Sequence, residues 1–436
     1  MTSLPKKALL ISPYFLPRRR VGSLRTYKFA KYLSGFNWRA EVISFETKGS
    51  DFTKFEKDAL EDIKTHYLKV PYDRTQKHSK SDISKKKTSK KKGVLSVIPD
   101  LIDKMIPVDT WYPLLRYHYQ EIKEIIRQSK PNVIWTTADP WSNLILGKKL
   151  KKKFNLPWVA DFRDPWSLCP VRYKKKFSFL QGIESSIELK VIRSADKIVF
   201  TSQKTLEMYT SKYHNFAEKF ELIHNAFDLG KEKVKEYPEL LIESKDKVSL
   251  LFFGNFRSSS PASVIIEVLG KVIKIKPDFA KKIQVLHLGT LSDSDLKLAE
   301  ELGLNRVFKS MNPVSYEEAT EVLKKADILL SILNPKRNMV IPSKFWDYLP
   351  SETPIFSIGR NEEMQRILTD TGTGVQFSPN EIEDAVNQLG LMIEEIINGQ
   401  KVSKFDPDFE MIDQYNAKSA TKKLATIFDN LLIDNK

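Results

Sequence analysis

The sequence is short of cysteine and of long apolar runs. Of its 436 residues one is a cysteine, Cys169, so no intrachain disulfide can form and a disulfide-stabilised secreted scaffold is excluded. No stretch approaches the roughly 18 consecutive apolar residues that a membrane helix needs. We therefore expect a cytoplasmic protein in a reducing compartment, with no segment that spans a membrane.

Motifs that mark several enzyme classes are also missing. The six histidines are scattered along the chain, and no Cys/His pattern suits a structural zinc site. Neither a Walker-type phosphate loop nor a GxSxG nucleophile motif occurs. The sequence therefore predicts no metal site, and it lacks the usual markers of phosphate-loop hydrolases and serine esterases.

Positive charge is concentrated in the first half of the chain. Residues 1–235 contain 47 Lys and Arg against 25 Asp and Glu, whereas the remainder contains 24 against 30. Such asymmetry indicates an anionic partner for the first half, either a lipid surface or nucleic acid. Residues 73–93 carry two lysine triplets and few apolar side chains. They suit a solvated surface loop or electrostatic attachment to anionic lipid headgroups.

Short apolar runs alternate with amphipathic stretches in both halves, which predicts repeated strand–helix units and parallel sheets. The predicted strands are residues 8–12, 40–45, 133–136, 158–161 and 197–201, then 248–253, 283–288, 328–332 and 354–358. Helical patterns cover residues 23–33, 117–128 and 144–154. We predict two doubly wound α/β domains, 1–235 and 246–415, with a charged linker at 231–247 and a terminal helix within 416–436.

Two open α/β domains that face each other place the carboxyl ends of both sheets at a central cleft, where ligands bind in such folds. In the first domain Gly22, Ser23 and Arg25 open a helix after the first strand. A glycine and unpaired backbone N–H groups at a helix start suit a phosphate. A turn followed by an ordinary N-cap is the alternative.

Four charged residues of the first domain follow two neighbouring strands. They are Asp139, Asp161, Arg163 and Asp164. Their position at the expected cleft makes them candidate catalytic residues. The alternative is an ion-pair network that holds the loops in place.

The second domain carries a second set of candidates, this time suited to binding a donor. After its first strand come Gly254, Asn255 and Arg257, and a later helix begins with Ser343, Lys344 and, one turn on, Asp347. A nucleoside diphosphate leaving group needs its charge neutralised, which Arg257 and Lys344 can supply. Asp347, at i+3 from Lys344, suits ribose hydroxyls. Plain helix capping is the alternative.

In their order along the chain these segments resemble retaining glycosyltransferases of the GT-B fold, family 4, in a branch with a PSK motif. The resemblance covers nearly the whole chain. It rests on PYFLP with GSLR, TTADPWSNL, VADFRDPW, IVFTSQKT and LIHNAFD, then FFGNFR and VIPSKFWDYLPSETPIFSIG. It implies two Rossmann-like domains, with Gly22 on the donor diphosphate, Arg257 and Lys344 holding it, and Asp347 on the ribose. It also implies that the terminal helix crosses back onto the first domain.

Two positions depart from the pattern of that family. Met339 stands where many members carry the first of two glutamates eight positions apart, the second position being Asp347. Asn255 stands where an arginine often follows the glycine, and Arg257 comes two residues later. These departures leave the individual diphosphate and sugar contacts open.

The resemblance implies a transferase that moves a sugar, with retained configuration, from a nucleotide-diphosphate sugar to a glycan or lipid-linked acceptor in envelope glycan synthesis. It implies no metal or other cofactor, and an anionic membrane surface on the cytoplasmic side becomes the expected partner of the basic half. One alternative is a catalytically inactive relative, as Met339 suggests. Another is a nucleic-acid-binding scaffold, although no recognised RNA motif supports it and we expect no nucleic acid. A nucleotide-sugar epimerase on the same architecture is the third.

Overall fold

The computed structural model describes residues 5–17, 21–46, 54–70, 108–169, 178–228, 247–257, 260–288, 290–311, 322–334 and 339–434. The chain divides into two compact units. Unit 1 comprises Met1–Asn225 with Ala417–Lys436, and unit 2 comprises Ala226–Asn416. The lysine-rich segment 73–93 and all but the last residue of the predicted linker lie outside the described residues.

Unit 1 is built on a seven-stranded parallel sheet with the order β3-β2-β1-β4-β5-β6-β7. Its strands are β1 (Lys6–Ile11), β2 (Trp38–Phe45), β3 (Lys64–Leu68), β4 (Val133–Ala138), β5 (Trp158–Phe162), β6 (Lys197–Phe200) and β7 (Phe220–Leu222). Every residue of β4 and β5 is buried, as expected for central parallel strands covered on both faces. The order reverses between β1 and β4, which places a topological switch point there.

The connections of unit 1 are mostly helical. Its helices are α1 (Val21–Tyr32), α2 (Lys54–Leu60), α3 (Tyr112–Tyr117), α4 (Tyr119–Ser129), α5 (Ser142–Phe154), α6 (Ser178–Ser194) and α7 (Gln203–Lys212). Short 3-10 helices cover Leu33–Phe36 and His214–Lys219. Helix α7 shows how the sequence starts a helix, because the Ser202 side chain accepts the backbone N–H of Thr205.

Unit 2 contains a six-stranded parallel sheet with the order β10-β9-β8-β11-β12-β13. The strands are β8 (Val248–Phe252), β9 (Ile283–Leu288), β10 (Phe308–Met311), β11 (Ile328–Ile332), β12 (Ile355–Ile358) and β13 (Gly374–Phe377). The helices are α8 (Ala262–Ile275), α9 (Phe279–Lys282), α10 (Asp293–Glu301), α11 (Ser343–Tyr348), α12 (Glu362–Asp370), α13 (Ile382–Ile397) and α14 (Phe409–Asp413). Counted within the unit, this is the 3-2-1-4-5-6 order of dinucleotide-binding folds, with its switch point between β8 and β11.

The terminal helix α15 (Ala417–Asp434) packs against α1 in unit 1. Its buried side chains include Leu424, Phe428 and Leu431, spaced so that they share one helical face. Asp429 accepts a hydrogen bond from Nε1 of Trp38 at 3.0 Å and also pairs with Lys6. No helix among the residues described above is long and apolar enough to cross a membrane.

Candidate functional site

In each unit a glycine beyond the central strand lies against a cationic side chain. Gly22 of α1 faces Arg163, and Gly254, two residues after β8, faces Lys344. A Cβ atom at either glycine would overlap the terminal nitrogen of its neighbouring cation. Glycine is therefore the residue that allows each cation to approach the backbone this closely. Arg163 thus lies against the turn at which the sequence predicts a phosphate, and the phosphate contact of Gly22 stays a prediction.

Arg163 lies between two carboxylates at the carboxyl ends of β4 and β5. Its Nη2 donates to Oδ1 of Asp139 at 2.5 Å, and its Nε donates to Oδ2 of Asp164 at 3.1 Å. The Arg163 side chain is 10% exposed, whereas those of the two acids are 43% and 39% exposed. Burial alone lowers the pKa of Arg163, but Asp164 and Asp139 outweigh it and hold the pKa above its ordinary value. This cation is already balanced by its own carboxylates.

Arg25 of α1 and Asp161 of β5 form a buried ion pair. Arg25 Nη2 donates to Oδ1 of Asp161 at 2.8 Å and Nε donates to Oδ2 at 3.1 Å. The other three N–H groups of Arg25 bond to acceptors in residues 223–225, so all five donors are engaged. Asp161 has no exposed side-chain surface. For these two residues the geometry favours the ion-pair alternative over direct contact with a ligand.

Ser23 is the remaining candidate of unit 1 and lies in the first turn of α1. Its side chain is fully buried, and its hydroxyl has no hydrogen-bond partner among the described residues. The neighbouring Thr26 hydroxyl, in contrast, donates to the carbonyl oxygen of Gly22 at 3.1 Å. Ser23 therefore contributes a buried hydroxyl close to Gly22 with no described hydrogen-bond partner, and its contact with a donor stays a prediction.

Glu188 stabilises the loop that follows β5. No sequence motif identified it as a site residue. It lies on α6 with no exposed side-chain surface and accepts the backbone N–H of Ser167 at 3.1 Å. Its carboxylate also accepts the hydroxyls of Ser167, Tyr209 and Tyr213. Burial, and then the charge of Glu188, raises the pKa of Tyr209 well above its ordinary value. Glu188 thus fixes the segment that follows Arg163 and Asp164.

The loop after β8 in unit 2 turns two polar side chains outward on either side of the partly buried ring of Phe256. Phe256 stacks on Phe252 with ring centroids 4.2 Å apart and an interplanar angle of 6°. The flanking Asn255 and Arg257 are exposed. Arg257 and Ser260 exchange backbone hydrogen bonds of 3.1 and 2.8 Å, which closes the loop. The predicted donor-binding side chains here are therefore anchored by Phe256 and accessible.

Helix α11 divides cleanly into a buried face and an open face. Phe345, Trp346 and Tyr348 are at most 2% exposed, and the Tyr348 hydroxyl accepts the backbone N–H of Phe253 at 3.0 Å. The partly exposed positions are Ser343, Lys344 and Asp347, which the helical spacing places on one side. The aromatic residues of the FWDY segment thus fix the helix, and the three predicted site residues form its open side.

Lys344 differs from Arg163 and Arg25 in its electrostatic environment. Its ammonium lies 5.0 Å from the centroid of the Phe252 ring, and no carboxylate among the described residues lies within salt-bridge distance of it. Burial, and then the positive charge of Arg257, lowers the pKa of Lys344 to about 8 against the opposing charge of Asp347. A partly buried cation in this setting suits an anionic ligand.

Within the described part of the chain, no group of three or more His, Cys, Asp or Glu side chains is arranged to hold a metal ion. The candidate acids of unit 1 form ion pairs with arginines instead. Asp139 and Asp164 pair with Arg163, and Asp161 pairs with Arg25. The expectation that the reaction needs no metal or cofactor stays a prediction.

Comparison with protein families gives one match. Residues 25–231 match the model of Glycosyltransferase Family 4. That range runs from Arg25 past β7 and includes Asp139, Asp161, Arg163 and Asp164. No curated protein gives a significant match.

Solved structures match over nearly the whole length of the chain. The sucrose-phosphate synthase of Thermosynechococcus elongatus has a TM-score of 0.64 at 14% identity, covering 98% of this chain and 100% of that one. HepE of Anabaena in complex with UDP and glucose has a TM-score of 0.61 at 13% identity, covering 98% and 100%. The lipopolysaccharide outer core galactosyltransferase WaaB in its apo form has a TM-score of 0.56 at 13% identity, covering 99% and 100%.

At these identities the likeness shows the fold, and it confirms the predicted class. The chain has an α/β fold with two doubly wound, Rossmann-like domains, as in glycosyltransferases of the GT-B fold. The predicted central cleft, the PSK branch and the individual roles of the site residues stay predictions.

Proposed function

We propose that this chain is a glycosyltransferase that takes a sugar from a nucleotide-diphosphate sugar, and that the diphosphate binds beyond β8 in unit 2. The observation that carries the proposal is Lys344. Its ammonium reaches the backbone at Gly254, on the carboxyl side of the switch point where ligands bind in open α/β sheets. The family 4 match in unit 1 and the UDP-bound neighbour HepE support the same reading.

The proposed chemistry needs positive charge rather than a metal. When the bond between the anomeric carbon and the diphosphate oxygen breaks, negative charge develops on the leaving group. Lys344 and the exposed Arg257 neutralise that charge, and a preorganised cation in a partly buried site is effective in this role. Asp347, on the same side of α11, accepts hydrogen bonds from the ribose hydroxyls.

Unit 1 takes the acceptor side in this proposal. The carboxylates of Asp139 and Asp164 are partly exposed on either side of Arg163, where they can orient an acceptor hydroxyl. Following the family resemblance, the acceptor is a glycan or a lipid-linked sugar, the configuration of the sugar is retained, and the enzyme works in envelope glycan synthesis at the cytoplasmic face of a membrane.

A thermal-shift screen tests the donor part of the proposal. The full chain is melted with UDP, GDP, CDP, dTDP, ADP and their common sugar conjugates. A ligand that binds only the folded state raises the melting temperature. We expect stabilisation by one nucleotide family, abolished in Lys344→Met and retained in Lys297→Met. Lys297 is an exposed lysine of unit 2, so it serves as the matched control. Absence of any response, or equal responses in both variants, would contradict the donor assignment.

A catalytically inactive relative remains the second candidate because of Met339. This side chain is 7% exposed and cannot act as the carboxylate that many family members carry at the position. Incubation with the stabilising sugar nucleotide separates the two readings. Release or transfer of the sugar supports the enzyme, whereas binding with no loss of the donor in the presence of acceptor glycans supports the inactive relative.

A further inference from the structure

Helix α6 of unit 1 exposes a stripe that is apolar at one end and basic at the other. The exposed side chains other than glycine are those of Phe179, Ile183, Ser186, Lys190 and Arg193. Spacings of three and four residues place them on one face of the helix. Phe179 is 65% exposed and Ile183 is 43% exposed. Large apolar side chains that are exposed together on one surface often mark an interaction site.

Helix α5 brings further lysines to the basic end of that stripe. Burial lowers the pKa of Lys148, and the positive charges of Lys190, Lys152 and Lys149 lower it further. Helices α5 and α6 contact each other, which brings Lys190 of α6 near the lysines of α5. Among the described residues, Lys148, Lys152 and Lys190 have no carboxylate within salt-bridge distance. The described carboxylates of unit 1 therefore leave these lysines without an ion pair.

We propose that the α5–α6 surface, formed by Lys148, Lys149, Lys152 and Lys190 with Phe179 and Ile183, docks this protein on an anionic lipid surface. The lysines face the headgroup phosphates, and the two apolar side chains enter the boundary between headgroups and acyl chains. Each lysine near an anionic leaflet adds to the attraction, and burial of the apolar side chains adds a second contribution. A nucleic acid would use the lysines but would offer Ile183 no apolar environment.

The α5–α6 surface consists of residues of unit 1, whereas the residues of the proposed donor site belong to unit 2. The inference therefore does not depend on the transfer reaction. It assigns the predicted membrane contact to a described part of unit 1, whereas residues 73–93 lie outside the described residues.

Vesicle flotation of the full chain tests the proposal. Neutral phosphatidylcholine vesicles are compared with vesicles in which part of the lipid is phosphatidylglycerol. We expect binding to the anionic vesicles only. The charge variant Lys152→Glu/Lys190→Glu should bind at least about 25-fold more weakly, since each lysine contributes about fivefold. Ile183→Ser should lose about threefold to tenfold because less apolar surface is buried.

Matched controls come from unit 2. Lys274→Glu/Lys297→Glu changes the net charge by the same amount, and Ile275→Ser removes an isoleucine that is 62% exposed. Both should bind vesicles like the wild type. Melting curves establish that every variant is folded, and the nucleotide thermal-shift response, which uses unit 2, should be the same in wild type and in the α5–α6 variants.

Four outcomes would overturn the proposal. The first is a wild-type chain that does not float with anionic vesicles. The second is a charge control that weakens binding as much as the α5–α6 charge variant, because attraction would then be diffuse. The third is an Ile183→Ser variant that binds vesicles as the wild type does. The fourth is tighter binding to single-stranded DNA than to anionic vesicles, with loss in the charge variant alone, which would assign the lysines to a nucleic acid.

Discussion

The two units place a glycine against a cation beyond their central strands, but they balance that cation differently. In unit 1, Arg163 beside Gly22 donates to Asp139 and to Asp164. In unit 2, Lys344 beside Gly254 forms no ion pair with a carboxylate of the described residues, and burial with the charge of Arg257 lowers its pKa to about 8.

The difference separates structural from ligand-binding charge. A cation whose N–H groups are already engaged by acids gains little from an external anion, because the existing pairs would have to break first. A partly buried cation without a partner gains both the Coulomb attraction and the hydrogen bonds of the anion. From this comparison we propose that Lys344 binds the anion and that the arginines of unit 1 hold their loops in place.

The largest effect should come from breaking the buried pair of unit 1. Arg25→Ala leaves the carboxylate of Asp161 buried and uncompensated, so we expect unit 1 to lose about 3–5 kcal/mol of unfolding free energy. Urea unfolding measures the loss. Arg127→Ala removes an arginine from an exposed pair with Glu124 at 3.0 Å and should change stability little. Equal stability of the two variants would show that the buried pair does not stabilise unit 1.

Glu188→Gln should give the next largest effect. The amide keeps the shape of the side chain but loses the negative charge that accepts the Tyr209 and Tyr213 hydroxyls, and its NH₂ group faces groups that donate to Glu188 in the wild type. We expect a loss of about 1–3 kcal/mol in the same urea assay. The control is Glu207→Gln, at an exposed carboxylate that accepts from Gln203. A variant as stable as the wild type would contradict the role of Glu188 as a loop support.

Gly254→Ala tests the close approach of Lys344 to the backbone. Gly254 has φ +151°, which an alanine adopts only with strain, and the new Cβ would displace the Lys344 ammonium. We expect a loss of about 1 kcal/mol in stability and a clear loss of nucleotide-induced thermal shift. At Gly35 a Cβ would meet no atom within 4 Å, so Gly35→Ala is the control. An unchanged nucleotide response in Gly254→Ala would separate Gly254 from the binding site.

The smallest expected effect is the uptake of a proton by Lys344 when the diphosphate binds. With a pKa of about 8, Lys344 is about half neutral at pH 8, and a bound diphosphate raises that pKa. Calorimetric titrations at pH 8 in buffers of different ionisation enthalpy should show uptake of about half a proton, absent in Lys344→Met. Equal proton uptake by wild type and variant would place the titrating group elsewhere.

The same shift fixes the sign of a pH effect on stability. The unfolded chain keeps this lysine protonated up to about pH 10, whereas the native state releases the proton near pH 8. The native state therefore binds fewer protons between these values, and the contribution of Lys344 to stability increases as the pH rises through that window. Lys344→Met should lack this increase.

The central strands of both sheets were predictable from the sequence, but the edges were not. Residues 283–288 and 328–332 are strands at the predicted bounds, and most other predicted strands differ by one or two residues at an end. The strands that the apolar runs did not indicate are β3, β7, β10 and β13, which are the four sheet edges. Edge strands are short and only partly buried, so their sequences lack the continuous apolar run of a central parallel strand.

The residue types of the site could be predicted at the ends of the strands. Which of these residues contact each other could not be predicted. Gly254 and Lys344 are 90 positions apart, and only the parallel pairing of β8 with β11 brings their neighbourhoods together. The commitment of Arg25 to Asp161 likewise depends on tertiary structure. One feature of the sequence could have identified Glu188 as a buried acid. It lies on the same helical face as Leu180 and Val191, which are both buried.

The most direct test of the account is the affinity of the chain for the nucleoside diphosphate that stabilises it, measured by calorimetry. We predict that Lys344→Met raises the Kd about 10-fold to 100-fold, as expected for the loss of hydrogen bonds from a charged group, with Lys297→Met unchanged. An unchanged Kd in Lys344→Met, with the protein folded, would contradict the assignment of the anion site to unit 2.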